Sequence, residues 1–389
     1  MADLNRRVDT ATKGRQPVSK QIVLAKLGLL NFMESPYRDL PPGAFWRSGV
    51  ADRKPSDFAD FYRPKFPING RMKIATAGSC FAQHVGRALR QSGFNVIDAE
   101  RAPALVPDAV KQRYGFGLYS ARYGNIYTIR QLLQLWREAT GRADPAVPVW
   151  QRDDRFFDAQ RPGLEPNGFD SASDVLAHRS LHLAAVRKAF LLADVIVFTF
   201  GLTETWLHTD SGTVYPTCPG TIAGEYDPKI YSFHNCSYKE IYKNFGRFRD
   251  LMMDNNPAVK FIVTVSPVPL TATASGHHVE VATSYSKAVL RAVCGQLVGE
   301  FDNVDYFPSY EIITSQKNAA RFYSDSLRVV TAEGVAAAMG AFMAAHAMQH
   351  QSPVPFDSPV PVVSDNQRIP DDPDFGIVCE EALLEVFRK

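Results

Sequence analysis

The first candidate for chemistry is a serine that joins a buried strand to a helix. Ser79 follows the apolar run Met72–Ala77 and precedes a stretch, 81–91, whose apolar residues recur with helical spacing. A helix N-terminus presents unpaired backbone N–H groups, and Gly78 allows the chain to turn tightly just before the serine. A hydroxyl mounted in this way can act as a nucleophile beside donors for an oxyanion. The alternative is a plain helix cap, because serine is among the commonest N-cap residues.

Cys80 is a rival nucleophile, because a helix N-terminus also lowers the pKa of a thiol. Its alternative role is that of a small, buried apolar side chain. The chain has five cysteines and no Cys-x-x-Cys pair, which is typical of neither a disulfide framework nor a zinc site. We therefore expect no metal and no cofactor, and a reducing, cytoplasmic compartment.

Strand-like apolar runs alternate with helical patterns through the middle of the chain, which is typical of parallel βα units. The predicted strands are 72–77, 94–97, 194–200, 261–265 and 304–307, and the predicted helices are 81–91, 181–192, 282–300 and 331–349. The run Val195–Phe198 is apolar without alternation, as expected for a strand buried on both faces. The predicted fold class is α/β, a three-layer α/β/α sandwich. Its mostly parallel sheet is expected to have the flavodoxin-like order, with ligands at the carboxyl ends of the strands.

Two segments flank this domain, which we expect to span residues 66–350. Residues 1–65 are rich in proline and aromatic residues and are predicted to pack on the core as an N-terminal extension. Their apolar stretch Ile22–Phe32 is interrupted by Lys26 and is expected to be amphipathic and not a signal peptide. Residues 351–389 are predicted to form a proline-rich extended arm that ends in a short docking helix.

Charge and hydropathy exclude two classes of partner. A formal net charge of +2 gives no electrostatic basis for binding nucleic acid. The most apolar inner segments, Ala193–Leu202 and Phe261–Leu270, have about half the length that a membrane-spanning helix needs, so no membrane span is expected. We expect a small-molecule or glycan substrate, and nothing in the sequence indicates an oligomeric state.

Four sequence blocks at predicted strand ends carry a family resemblance. They are GSCFA at 78–82, SARYGNIYT at 120–128, FGLTETW at 200–206 and VSPVPL at 265–270. In this order they resemble the GSCFA family of bacterial proteins, which is similar to the SGNH (GDSL-like) hydrolases. The resemblance extends over residues 36–345.

The resemblance implies acyl-ester chemistry, with a serine nucleophile and an oxyanion hole completed by a glycine and an asparagine. Ser79 takes the nucleophile position, Gly124 is the matching glycine, and Asn125 can donate its amide N–H. Cys80 is expected to line the same substrate site. The third block normally reads Gly-x-Asn, but here it reads Gly201-Leu202-Thr203. Because Thr203 stands at the asparagine position, Asn125 is the expected side-chain donor.

Glu204 and Trp206 follow the strand that ends at Phe200 and are expected at its mouth. A carboxylate and an indole together suit the binding of a sugar. The alternatives are a buried ion pair and a core aromatic side chain.

The final block departs from the SGNH pattern, which ends in Asp-x-x-His. The run Phe322–Val330 contains Asp325 but no histidine. Aligned from Asp325, the histidine position falls on Arg328, and aligned without a gap it falls on Val329. Neither side chain can act as a general base, so this block cannot supply a Ser-His-Asp relay.

Three interpretations of this gap stay open. In the first, another histidine substitutes. His278, on a Gly/Ser-rich loop, is the preferred candidate, with His84 and His208 as alternatives. In the second, Asp325 or Glu204 acts directly on Ser79 as a carboxylate with a raised pKa. In the third, the domain has lost catalysis and only binds a ligand.

Arg328 is predicted to bind an anionic group, such as the carboxylate of a uronic or sialic-type sugar, if it faces the pocket. The alternative is a surface ion pair with Asp325 or Glu333. The resemblance, together with these residues, implies an enzyme, an acyl esterase or an O-acyl (acetyl) transferase that acts on a carbohydrate or polysaccharide through Ser79. The competing hypothesis is a catalytically impaired glycan-binding or scaffold protein of polysaccharide biosynthesis.

Overall fold

Residues 35–346 and 379–388 are described by the structure, a computed structural model. The chain divides into two units, residues 1–54 and residues 55–389. In the first unit, the described residues form a short 3-10 helix, Pro42–Ala44, and a π-helical turn, Arg47–Ala51. The predicted amphipathic stretch Ile22–Phe32 and the proline-rich arm up to residue 378 lie outside the described residues. The predicted boundaries at residues 65 and 351 stay predictions.

Ten strands lie in the described part of the second unit. They are β1 (Lys73–Gly78), β2 (Asn95–Val96), β3 (Val149–Arg152), β4 (Arg155–Asp158), β5 (Val195–Phe200), β6 (Glu204–His208), β7 (Val214–Tyr215), β8 (Tyr231–Asn235), β9 (Lys260–Val265) and β10 (Val304–Tyr306). Five of them form the central sheet in the order β10-β9-β5-β1-β2, and every pair is parallel. Counted along the chain, this is the flavodoxin order 2-1-3-4-5, so the predicted sheet order is confirmed.

Eight α-helices lie in the described part of the same unit. They are Phe81–Gln91, Asp108–Arg113, Ile129–Ala139, Ala172–Leu192, Tyr238–Met253, Val279–Glu300, Ser309–Thr314 and Ala332–Ala345. The helix Phe81–Gln91 has the predicted bounds, and Thr331 caps the helix Ala332–Ala345 as expected, since its side chain accepts the N–H of Gly334 at 3.2 Å. The helix predicted from residue 181 begins nine residues earlier, because Ser171 caps it by accepting the N–H of Asp174.

Helices cover both faces of the central sheet. Along β5, Ile196 and Phe198 pack in one apolar cluster, with Trp136 and Phe190, while Val197 packs in a second. Since successive side chains of a strand point to opposite faces, the two clusters lie on the two sides of the sheet. Every residue of β5 is buried, which explains its unbroken apolar run and confirms the three-layer α/β/α fold. Phe58 and Tyr62 belong to the second cluster.

Two small antiparallel sheets, which the sequence reasoning did not predict, decorate the carboxyl side of this core. The order β7-β6-β8 forms one, and the hairpin β3-β4 forms the other. Trp206 of β6 packs edge-on against the rings of Tyr226 and Phe233. Among the described residues, no helix combines the length and the apolar character that crossing a membrane requires.

Candidate active site

Ser79 lies at the carboxyl end of β1, where the backbone makes a turn that only glycine fits. Gly78 has φ +140°, and a Cβ placed on it would lie 2.5 Å from the carbonyl oxygen of Thr199. The carbonyl of Ser79 accepts the N–H of Ala82 at 2.8 Å and so begins the helical turn. The N-cap of the helix is Cys80, with no side-chain cap. The serine is therefore not the plain helix cap that its sequence context also allowed.

The hydroxyl of Ser79 is buried and unpaired. The residue is 3% exposed, and its Oγ has no hydrogen-bond partner among the described residues. Nearly all buried polar groups in proteins are paired, so an orphaned buried hydroxyl needs an explanation. A reacting partner that arrives with the substrate is one such explanation.

Gly201 leaves the space that Ser79 needs. A Cβ on Gly201 would lie 2.8 Å from the Cβ of Ser79 and 3.4 Å from its Oγ. The carbonyl oxygen of Gly201 accepts a hydrogen bond at 2.8 Å from Nζ of Lys287. Lys287 therefore contacts the residue that packs against Ser79. The sequence reasoning did not select Lys287 as a site residue. Burial lowers the pKa of Lys287 to about 8.

Asn125 presents its amide nitrogen because its oxygen is already held. The Oδ1 atom lies 2.6 Å from the hydroxyl of Tyr119 and accepts from Nε2 of Gln83 at 3.3 Å. The same tyrosine hydroxyl lies 3.2 Å from the carbonyl oxygen of Ser79. The next residue, Ile126, donates its N–H to the carbonyl of Gly78 at 2.8 Å. The structure thus brings Asn125 and Gly124, with φ +67°, to the end of β1 beside Ser79.

The C-terminal residues Cys379–Arg388, which we call the tail segment, contribute a carboxyl group to this place. Oε2 of Glu380 accepts from Nδ2 of Asn125 at 2.9 Å and from the hydroxyl of Tyr127 at 3.2 Å. The side chain is so closely packed that a Cβ on Gly163 would lie 2.9 Å from its Oε1. Burial raises the pKa of Glu380 to about 7, although both hydrogen bonds oppose the shift.

Glu381 of the tail segment meets Arg328. Its Oε2 lies 3.4 Å from Nη2 of Arg328, and burial raises the pKa of Glu381 to about 8 in spite of the arginine. The predicted surface partners of Arg328 do not contact it in this way, since Glu333 pairs with Arg321 at 2.7 Å. Arg328 therefore faces an acidic group, as the sequence suggested, but that group belongs to the chain itself.

Cys80 packs against Cys379 in a small buried cluster with Val268. The hydrogen bond between the two thiols raises the pKa of Cys80 and, with Arg328 nearby, lowers that of Cys379 to about 5. The raised pKa favours the protonated form of Cys80. This arrangement makes Cys80 a poor nucleophile, because the thiolate is the reactive form.

His278, the predicted base, and Asp325, its predicted partner, are both exposed. His278 is exposed and caps the helix Val279–Glu300, where its Nδ1 accepts the N–H of Glu280 at 3.2 Å. Asp325 is exposed in the turn closed by the bridge between Tyr323 and Val330. Neither residue hydrogen-bonds to Ser79, whose Oγ has no described partner. Their catalytic roles stay predictions.

The structure also shows the surroundings of the alternative bases His84, His208 and Glu204. Burial lowers the pKa of His84 to about 3, and Nδ1 of His208 accepts the N–H of Ser211 at 3.3 Å. Oε1 of Glu204 accepts from the hydroxyl of Thr273 at 2.6 Å, and burial raises its pKa. Thr203, at the family's asparagine position, is buried, and its Oγ1 is unpaired among the described residues. In the part of the chain that the structure describes, no group of His, Cys, Asp and Glu side chains is arranged to hold a metal ion.

The comparison with known families decides the relationship that the four blocks suggested. The model of the GSCFA family matches residues 73–342. This chain belongs to the GSCFA family. The matched range of the GSCFA chain includes Ser79, Asn125, Lys287 and Arg328 but ends before the tail segment. No curated protein matches this GSCFA chain.

The sequence reasoning missed Lys287 and Glu380, and only Lys287 has a signal in the sequence. Lys287 lies on the buried stripe of its helix, with Ala282, Leu290 and Cys294. A lysine at helical spacing within an apolar stripe is a visible signal. Glu380 has no comparable signal, because its place depends on a contact with Asn125 across 255 residues of chain.

Proposed function

We propose that this protein is a Ser79-dependent acyl esterase or O-acyltransferase that acts on an ester of a carbohydrate, most simply an acetyl ester. The observation that carries the proposal is the buried, unpaired hydroxyl of Ser79 at a strand-to-helix turn. The similarity of the GSCFA family to SGNH hydrolases, inferred from the sequence blocks, supplies the reaction class. The carbohydrate is supported by this similarity and by the indole of Trp206, both of which are weaker supports than the geometry of Ser79.

In the proposed reaction, Oγ of Ser79 attacks the carbonyl carbon of the ester and loses its proton to a base. The new Oγ–C bond makes a tetrahedral oxyanion, which the amide nitrogen of Asn125 can stabilise once Glu380 no longer occupies it. Collapse of this intermediate breaks the bond to the sugar oxygen, and that oxygen takes a proton as it leaves. Water or a second hydroxyl then removes the acyl group from Ser79, which gives hydrolysis or transfer.

For the base we propose Lys287. This is a fourth interpretation of the missing histidine, beside the three that the sequence left open. Its Nζ is bound to the carbonyl of Gly201, the residue that packs against Ser79. An amine whose pKa burial has lowered to about 8 has a substantial neutral fraction near that pH and can accept a proton. Lysine is a known partner of nucleophilic serine on other folds.

A second candidate function follows from Arg328. Because it stands at the histidine position and binds Glu381, this chain can also be a non-catalytic protein that holds an acidic glycan. The two functions differ in whether Ser79 turns over an ester.

The test measures acetate release from p-nitrophenyl acetate and from acetylated oligosaccharides by the full-length protein. Wild type is compared with Ser79→Ala and, as a matched control, with Ser92→Ala, an exposed serine at the other end of the same helix. Because the tail segment occupies Asn125, each protein is also assayed with Glu381→Lys, which places a cation against Arg328 and releases the segment. We expect Ser79→Ala to lower kcat by about a thousandfold or more, and Ser92→Ala to have no effect. Equal rates for all three proteins on every ester, in both backgrounds, would overturn the catalytic proposal.

A further inference from the structure

The donors beside Ser79 converge on one place from four parts of the chain. Asn125, Tyr127, Lys287 and Arg328, which we call the tail site, offer an amide, a hydroxyl, an ammonium and a guanidinium group. Asn125, Lys287 and Tyr127 are at most 3% exposed. In this structure Glu380 of the tail segment binds Asn125 and Tyr127, Glu381 binds Arg328, and Lys287 donates to the carbonyl oxygen of Gly201.

The tail segment satisfies these donors only in part. Arg328 meets Glu381 through a single long contact of 3.4 Å from Nη2, and its Nε is buried without a partner among the described residues. A guanidinium group binds a carboxylate best through two parallel hydrogen bonds of about 2.8 Å. Nη2 also donates to Sγ of Cys379 at 3.6 Å, so the tail segment engages Nη2 through two long contacts and leaves the buried Nε donor for a better ligand.

The alternative, that the site exists only to hold the tail, leaves this donor unexplained. An unpaired buried donor costs free energy, and the cost is greater for a charged group. Ser79 adds a second unpaired group at the same place. Two buried groups, Oγ of Ser79 and Nε of Arg328, thus have no partner among the described residues while the tail segment is bound. This indicates that the tail segment occupies the place of another molecule.

We propose that the tail site binds the carboxylate of a uronic-acid sugar, and that the tail segment occupies this site until such a ligand displaces it. The proposal rests on the proposed function only for the choice of a sugar. Arg328 would hold the ligand carboxylate through Nε and Nη2. Departure of the tail segment would then remove Glu380 from the amide nitrogen of Asn125, beside the place where Ser79 attacks the ester.

Cys379 provides a readout of tail release that does not depend on catalysis. It is buried against Cys80, so an alkylating reagent reaches either thiol only when the tail segment leaves. Iodoacetamide labelling of the full-length protein, with the two sites resolved by peptide mass spectrometry, therefore reports tail release. Running the same labelling in Ser79→Ala keeps the result independent of whether Ser79 is catalytic.

The first comparison tests the contact that holds the tail. Glu381→Lys places a second cation against Arg328, and we expect the repulsion to accelerate labelling of both Cys80 and Cys379 about tenfold or more. The matched control is Glu385→Lys, since Glu385 is an exposed residue of the same segment whose ion pair is with Arg388. Equal labelling rates in the two variants would overturn the proposal.

The second comparison tests the ligand. Methyl β-glucuronoside should accelerate labelling of Cys379 in a saturable way, whereas methyl β-glucoside, which differs in lacking the carboxylate, should not. Arg328→Met should abolish the response to the glucuronoside. No response to either glycoside up to high millimolar concentration, or the same response to both, would contradict the proposed carboxylate site. If the tail responds but no ester is turned over, the catalytic proposal fails and this one stands.

Discussion

The amide nitrogen of Asn125 lies 2.9 Å from a carboxyl oxygen of Glu380. The donor that the family resemblance assigns to the oxyanion hole is thus occupied by an oxygen from the far end of the chain. A carboxyl group resembles the acid that ester hydrolysis releases in the position of its oxygens. The contact is therefore what a bound reaction product would make, with the product supplied by the protein.

Asn125→Ala should reduce turnover strongly and binding weakly. An oxyanion donor acts mainly in the transition state, so kcat should fall by about 10² to 10³ while KM changes little. The measurement is steady-state kinetics on an acetyl ester in the Glu381→Lys background, where the tail segment is released. Asn69→Ala, at an exposed asparagine whose side chain accepts the N–H of Arg71, serves as the control. An equal loss in both variants would remove Asn125 from the catalytic step.

The central fold was predictable because its signals are local. The buried run of β5 and the stripe of the helix Phe81–Gln91 report burial directly through apolar spacing. The small sheet that contains β6 was not predictable in this way. Its strand Val214–Tyr215 is buried but only two residues long, and four of the five residues of Tyr231–Asn235 are half-buried, so neither strand has the apolar period that marks a strand.

The site was predictable only on the side that the sequence blocks mark. Ser79 and Asn125 lie in two of those blocks, and the structure places both at the end of β1. The acidic half comes from the tail segment, whose contacts with Arg328 span 53 residues. A contact between residues so far apart produces no periodic pattern in either segment. The sequence could therefore indicate that Arg328 binds an anion, but not that Glu381 is its partner.

Docking of the tail segment should weaken as the pH rises from 5 to 9. Burial raises the pKa of Glu380 from 4.5 to about 7 and that of Glu381 to about 8. A group with a raised folded-state pKa stabilises the docked form below its unfolded pKa, and this stabilisation is lost as the pH passes the raised value. The protein and its control below both carry Cys379→Ser, because the lowered pKa of the Cys379 thiol would act in the opposite direction. Hydrogen exchange of residues 379–388, corrected for the intrinsic pH dependence of exchange, should then show protection falling on the order of a hundredfold.

The double variant Glu380→Gln, Glu381→Gln provides the control for this pH effect. It keeps side chains of similar size but removes both titrating groups, so its protection should be nearly constant between pH 5 and 9. The Cys379→Ser protein and the double variant should therefore converge only at low pH. Protection that rises with pH in the Cys379→Ser protein would show that the carboxyl groups dock in their charged forms.

Lys287 should give the reaction a pH dependence of its own. A base must be deprotonated to act, so kcat/KM should rise with pH and level off above about 8, the lowered pKa of Lys287. The measurement belongs in the Glu381→Lys variant, where repulsion from Arg328 keeps the tail segment released throughout this pH range. Lys287→Met should lose this rise and about 10² or more of the rate.

Lys287→Arg separates catalysis from support of the fold. Arginine can still donate to the carbonyl of Gly201 but stays protonated at any working pH. A base role predicts that Lys287→Arg is as inactive as Lys287→Met while its circular dichroism matches wild type. Recovery of activity in the arginine variant would assign Lys287 to positioning Gly201 instead. Lys239→Met, at an exposed lysine on another helix, should be fully active.

Gly201→Ala should damage both stability and activity, because the new methyl group has no room. Its Cβ would lie 2.8 Å from the Cβ of Ser79 and 3.1 Å from the carbonyl of Tyr127, so the chain at Ser79 must shift. Overpacking of this kind costs about 1 to 3 kcal/mol. Gly246→Ala is the opposite case: this helical glycine has nothing within 4 Å of an added Cβ, and alanine should stabilise by about 0.5 to 1 kcal/mol. Urea unfolding of both variants measures the two free energies, and a neutral Gly201→Ala would show that Ser79 is less tightly enclosed than its burial implies.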